Sequence, residues 1–205
     1  VFVTTPSATD VVNAILGNEE NPIVLASSSE IYQNYNGSAL PTPSELFAFY
    51  PDLQYDSYVT LGAGTPAEAM SFPPTDDGSA HAWVSVFENG GDIIIDDAVG
   101  SGWYMNADVM GQYGVAGDDN RVMVAQLTTP GTIHGQLYVQ VFPDGLSAGN
   151  TLYLTLSFGS EHCGCTDPSA CDFDQENFDD DGSCFYPAED ESCAATCLYD
   201  TFSPE

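Results

Sequence analysis

The sequence predicts a mainly β protein: an antiparallel β-sandwich, jelly-roll-like or Ig-like, followed by a small disulfide-rich, loop-dominated module. Three observations predict it. Short apolar, aromatic and β-branched runs recur through residues 1–160, separated by Gly, Asn and Pro turns. The apolar share, 43% of 205 residues, is large enough to fill a core despite the acidity. All six cysteines fall between Cys163 and Cys197. The boundary is set near Gly159-Ser160, giving a β domain over 1–160 and an acidic stapled module over 161–205. Beyond that boundary the strand pattern stops and thirteen of 45 residues are Asp or Glu, so cross-links or ions are needed to hold the segment.

Taken in order, Val1 to Thr5, Asp10 to Leu16 and Pro22 to Ala26 are short β-prone runs, punctuated by Pro6-Ser7 and Gly17-Asn18. Ser44 to Phe49 reads as one helical turn before Pro51, with Ser44 at the N-cap. Asp56 to Leu61 alternates polar and apolar side chains, the period of a half-buried strand. Ala82 to Phe87, Asp92 to Ile95 and Gly102 to Met105 are read as further strands. Arg121 to Leu127, Thr132 to Phe142 and Thr151 to Phe158 carry the strongest strand patterns. About ten short strands with turn chemistry between them indicate a sandwich, with barrel closure as the alternative.

The charge balance excludes whole classes of partner. Thirty-one acidic residues face one basic residue, Arg121, for a net charge of −30. Nucleic-acid binding needs cations to displace counterions from phosphates, so no nucleic-acid partner is expected. Attraction to an anionic membrane surface fails for the same reason. No apolar run reaches the length of a membrane span, so no membrane insertion is expected. Like-charge repulsion of this size suits a salty, calcium-bearing exterior, where screening is short-ranged and divalent cations neutralise carboxylates. The chain starts at Val1 without Met or a signal sequence, which reads as processing or excision from a longer precursor.

Cys163, Cys165, Cys171, Cys184, Cys193 and Cys197 are an even set in a short acidic segment, which reads as disulfides formed in an oxidising, secretory or extracellular compartment. Zinc competes with that reading, but the spacings do not form a pair of knuckles.

Residues 164 to 184, GCTDPSACDFDQENFDDDGSC, resemble a module of the form GCTDPxACNYxxxAxxDDGSC repeated in large secreted surface proteins of marine and other aquatic bacteria. The segments LFAFYPDLQYDSYVTLG, IDDAVGSGWY and NRVMVAQLTTPGTIHGQLYVQVF also look like the β domain that accompanies it. This sequence departs from the module at Asp172-Phe173, where Asn-Tyr is usual, and at Asn177, where Ala is common. The resemblance implies a cell-surface or extracellular role in repeat-built adhesins or appendages, and brings no enzymatic activity with it. It also implies pairing of the first and last cysteines, Cys165 with Cys184. Cys171 would then pair with Cys193 or Cys197, and the remaining one with Cys163, among fifteen connectivities that six cysteines allow.

Calcium is the candidate cofactor. Asp172, Asp174 and Glu176 alternate as in the first half of an EF-hand loop, and Asp179, Asp180 and Asp181 follow. Asn177 stands where that loop needs Gly, and Ser183 where it needs Glu, so an EF-hand is excluded. A non-EF calcium loop using Asp172, Asp174, Glu176, Asp179 and Asp181 stays open beside a solvated acidic turn. Asp92, Asp96, Asp97, Asp118 and Asp119 form a second candidate group at strand ends. Trp83, Trp103 and Tyr104 are read as core or, in the case of Trp103 and Tyr104, as ligand-stacking residues for sugars. Asn36-Gly37-Ser38 is the N-glycosylation sequon, on a loop. Arg121 is expected to pair with the carboxylates of Asp118 or Asp119.

No Gly-x-Ser-x-Gly elbow, phosphate-cradling loop or shared histidine site among His81, His134 and His162 is legible, so no enzyme is expected. Two roles follow. The first is a structural subunit or module of an extracellular filament, sheath or adhesin stalk, associating with itself or with other surface proteins. Exposed strand edges, or an extended N-terminal strand from Val1, would make the contacts. The alternative is a calcium-dependent carbohydrate-binding or adhesion module that recognises glycans.

Overall fold

Seven strands that contain no Asp, Glu, Lys or Arg build the main sheet of the computed structural model. The structure describes residues 1–73, 81–109, 111–145, 150–159, 163–165, 167–170, 179–180, 184 and 186. The chain divides into two compact units, Val1–Leu156 and Ser157–Glu205.

In chain order the strands are β1 (Phe2–Thr4), β2 (Val11–Gly17), β3 (Ile23–Ser27), β4 (Tyr58–Val59) and β5 (Met70–Ser71). Helix α1 (Ala82–Glu88) follows, then β6 (Ile93–Ile95), β7 (Ser101–Met105), β8 (Arg121–Met123) and β9 (Ala125–Gln126). The last strands are β10 (Ile133–Phe142), β11 (Leu152–Gly159), β12 (Cys163–Gly164) and β13 (Asp179–Asp180). The large sheet has the order β5-β7-β2-β10-β3-β6, with β11 paired to β10. Its registered ladders are antiparallel, as expected for a sandwich. The late strand β10 takes β3 along its first half and β2 along its second. The end of β2 meets the start of β3, Gly17 lying against Ile23 and Ile95, so the two follow one another along one edge of β10 while β11 pairs with it as well.

Period-2 alternation sorts the side chains of this sheet into two faces. Ile15, Val139 and Trp103 lie side by side across three strands, as do Ile23 with Ile95 and Leu25 with Ile93, and all are buried. These residues form the inner face. A second, smaller layer lies against it. Val1 bonds to Ala125, β1 pairs with β8, and β4 pairs with β9, so one side of the 121–126 run takes β1 and the other takes residues 58–62. The indole N–H of Trp103 donates to the Thr60 carbonyl at 3.1 Å, fastening the two layers. Trp83 packs on Trp103 at 6.0 Å and on Phe72 edge-on at 5.0 Å, and its N–H donates to Ser101 Oγ at 3.0 Å. Each buried indole thus keeps its polar tip satisfied while filling the core.

The fold corrects three expectations from the sequence. Residues 82–87, read as a strand, form α1: Trp83, Val84 and Phe87 fall on one buried helical face while Val86 stays exposed. Their β-branched and aromatic content favours a strand, and packing of that face overrides it. Ser44 does not cap a helix; Ser44–Ala48 is a 3-10 turn whose N-cap is Pro43, with no side-chain cap bond. The 56–61 run keeps only Tyr58–Val59 as strand. The N-terminal strand β1 pairs along one side with β8.

Candidate functional site

The outer face of the large sheet is the candidate surface. Register places Tyr104 beside Ala14, which is itself beside Gln140, while Gly102, Leu16 and Tyr138 lie together one step along. Gln136, Val24 and Ile94 continue the face across β10, β3 and β6. Tyr138, Gln136, His134 and Tyr104 are half-buried, and Ile94 is 51% exposed. An amide relay organises the middle of the face. Asn13, the extra residue at a bulge of β2 against β10, donates through Nδ2 to Gln140 Oε1 at 2.8 Å. Gln140 Nε2 then donates to the Tyr153 hydroxyl at 2.8 Å. The Tyr153 ring stacks on Tyr138 at 5.8 Å between centroids and 21° between planes.

At the margin of this face lies β11. Four consecutive residues, 152 to 155, are exposed, including Leu152 at 47% and Tyr153 at 50%. Among the described residues β10 is its one strand partner. The run from Gly145 to Ser160 carries no charge, nor does the run from Val122 to Pro143. A −30 chain therefore presents one edge and one face where no carboxylate stands in the strands themselves.

Two further concavities carry less chemistry. A cavity of about 650 Å3 is lined by Glu30, Gln33, Glu88, Asn89, Tyr32 and Gly90 among others, with the buried Gln33 Nε2 lacking a partner. A smaller groove of about 290 Å3 holds Arg121, which lies 5.0 Å from the centre of the Phe2 ring and 3.9 Å from Asp119. Arg121 thus pairs with a loop carboxylate as expected, in an exposed position where such pairs contribute little.

The most deeply buried carboxylate among the described residues is Asp56. Burial pushes its carboxyl up from 3.8, with the Glu88 charge adding, while the N–H groups of Asn34, Ser38 and Ser57 pull it down. Asn34 N–H donates to Oδ1 at 2.7 Å. Oδ2 has no partner and faces Gly37, where a Cβ would collide with it. Asp56 is therefore the post around which the 34–38 loop is wound. Asn36 lies exposed on that loop, next to Gly37. Loop residues Tyr35 and Phe49 are also strongly exposed.

Of the expected stacking pair, Trp103 is corrected: it is fully buried between the layers, so its ring is closed to an external sugar. Tyr104, its neighbour on the alternate side of β7, reaches the outer face. Tyr138, Tyr153 and the Gln140 relay were not singled out from sequence; the uncharged alternation of β10 was the signal available. Asp92, Asp97 and Asp119 are engaged separately, with Ser27 N–H, with the N–H groups of Val99 and Gly100, and with Arg121. Among the described residues, no three His, Cys, Asp or Glu side chains are grouped to hold a metal.

In the second unit Cys165 and Cys184 form a disulfide with a Cα–Cα distance of 4.5 Å. Asp167 organises the turn within it, accepting from Ser169 N–H at 2.9 Å, Ser169 Oγ at 2.7 Å and the Tyr186 hydroxyl at 2.7 Å. These bonds, led by Ser169 N–H, hold the Asp167 carboxyl below its usual 3.8. β12 and β13 pair in parallel, Cys163 opposite Asp179. The calcium candidates Asp172, Asp174, Glu176 and Asp181, and the cysteines Cys171, Cys193 and Cys197, lie outside the described residues. No helix of the described residues is long and apolar enough to cross a membrane. No protein-family model matches the chain, and no curated protein or solved structure matches it.

Proposed function

We propose that this chain is a structural or adhesive module of an extracellular assembly, joined to neighbouring copies by strand addition at β11. One observation carries the reading: β11 is an uncharged edge strand with Leu152 and Leu154 exposed, in a chain of net charge −30. An edge of free N–H and C=O groups is a template for pairing with another chain. Natural edges are usually blunted by charge, and this one is not. Two copies of an acidic protein approach most easily where neither presents carboxylates, and β10 and β11 are such strands, with Asp144 confined to the connection between them. Backbone hydrogen bonds would give affinity, and the alternate side chains Leu152, Leu154 and Leu156 would set register.

The extracellular setting is supported by the resemblance of residues 164–184 to a surface-protein module and by the Cys165–Cys184 disulfide. Calcium enters the proposal as a screen and as an ion for Asp172, Asp174, Glu176, Asp179 and Asp181. Electron microscopy and sedimentation in millimolar calcium, repeated after chelation, test it. Ordered filaments or sheets that loosen on chelation are expected. Monomers at every protein and calcium concentration would refute it.

A further inference from the structure

We infer that the outer face of the large sheet is a binding platform for an uncharged polysaccharide, with Tyr104, Tyr138 and Tyr153 as its aromatic contacts. Electrostatics comes first. Every one of the 31 acidic residues lies outside the strands of this sheet, so among the described residues the face is a broad strand-built surface with no formal charge of its own. The surrounding potential of a −30 chain turns away polyanions, and the face offers no cation to hold one. A neutral partner pays neither cost.

Shape and chemistry narrow the partner further. Tyr104, Tyr138 and Tyr153 lie on β7, β10 and β11, across a path that also crosses β2. At about 4.8 Å per strand, that path spans about 14 Å, the length of a short run of sugar units. Tyrosine offers a sugar ring an apolar face and a hydroxyl tip at low entropic cost. Gln140 stands between Tyr104 and Tyr153, and Gln136 and His134 continue the same face along β10, adding amide and imidazole groups of the kind that bond hydroxyls. The Asn13–Gln140–Tyr153 relay holds part of this array in place before any ligand arrives. A second copy is a poorer fit, because stacked sheets bury interdigitating apolar side chains, and Tyr104, Tyr138, Gln136, Gln140 and His134 set polar groups among the apolar ones of this face. The inference needs neither calcium nor β11 pairing, so it stands apart from the assembly reading.

Affinity electrophoresis of the full chain in native gels tests it, with a neutral β-glucan, a xylan and a mannan in separate gels and alginate as the polyanion. At least one neutral polysaccharide is expected to retard the protein, with or without chelator. Tyr104→Ala and Tyr138→Ala should each weaken that retardation about two- to tenfold. Tyr35→Ala, altering a ring 98% exposed on a distant loop, should leave it unchanged. His134→Ala provides a milder change on the same face if a tyrosine variant fails to fold, and should also weaken binding. Retardation by alginate alone, by no polysaccharide, or unaltered in a folded Tyr104→Ala/Tyr138→Ala double variant would overturn the inference. So would loss of self-association, in place of loss of glycan binding, in Tyr138→Ala.

Discussion

Trp103 donates its indole N–H to the carbonyl oxygen of Thr60 at 3.1 Å, across the interior between the large sheet and the small one. Both residues are buried, so neither group has water as a substitute. Trp103→Phe should keep most of the volume but orphan the Thr60 carbonyl, costing about 1–3 kcal/mol. Trp103→Ala should cost about 3–5 kcal/mol, because the cavity falls where the layers meet. Urea unfolding of both variants checks the order; a Trp103→Phe variant as stable as the wild type would mean that the hydrogen bond contributes nothing.

Asp56 makes a prediction with a definite sign. Its carboxyl is raised from 3.8 in the folded chain, so folding favours its protonated form. Its contribution to stability is full below about 3.8 and is lost as pH rises through the folded value. Asp56→Asn cannot ionise, so its stability should gain on the wild type between pH 4 and pH 7. Urea midpoints at the two pH values read this directly, and a wild type that gained on the variant would reverse the assignment.

Gly37 packs over that carboxylate so closely that a Cβ would collide with it. Gly37→Ala should destabilise by about 1–3 kcal/mol, the range of overpacking in a tight site. Differential scanning calorimetry would show this as a lowered transition, with the Asp56→Ala/Gly37→Ala pair less than additive.

At the edge, Leu152→Lys with Leu154→Lys should leave the monomer within about 0.5 kcal/mol of the wild type for each substitution, because both side chains are exposed. The same pair should abolish higher-order assembly in sedimentation, since charge on an edge strand opposes pairing. Assembly that survived both lysines would place the contact elsewhere.

The Cys165–Cys184 bond closes a loop of sequence separation 19. Chain-entropy reasoning gives about 3 kcal/mol for a loop of that size. Cys165→Ser/Cys184→Ser should therefore loosen residues 157–205, read as faster proteolysis there, with little change in the cooperative unfolding of 1–156. Acid should loosen the same unit. Asp167 is held below 3.8, so the stability it adds is present above that value and lost as pH falls through the folded one. Proteolysis rates at pH 5 and pH 2 would report it.

Much of this was legible in the order of residues. Alternation and turn chemistry located β2, β3, β6, β7, β10 and β11, because a strand's two faces repeat every second residue whatever it pairs with. The acidity and the absence of lysine set the expectation of no nucleic-acid partner, and the cysteine cluster that of disulfides. The resemblance of residues 164–184 pointed to Cys165–Cys184 before any coordinates.

Other features had no local signal. Alternation states that Trp103 and Tyr104 face opposite ways, but which one meets the core depends on where the small sheet lies, and that is set by residues 58–62 and 121–126. Helix α1 reads as a strand from its own side chains, and only a core that accepts Trp83, Val84 and Phe87 together makes it helical. The uncharged runs around 122–143 and 145–160 were visible as composition. Their meaning was not, because β10 had to pair with β2, β3 and β11 before those residues became one face and one edge. Sequence by itself determined the side-chain periods, the charge and the cross-linking chemistry, which are short-range properties. Tertiary structure alone decided which face is buried and which is offered, because that choice is made by pairing between residues more than a hundred positions apart.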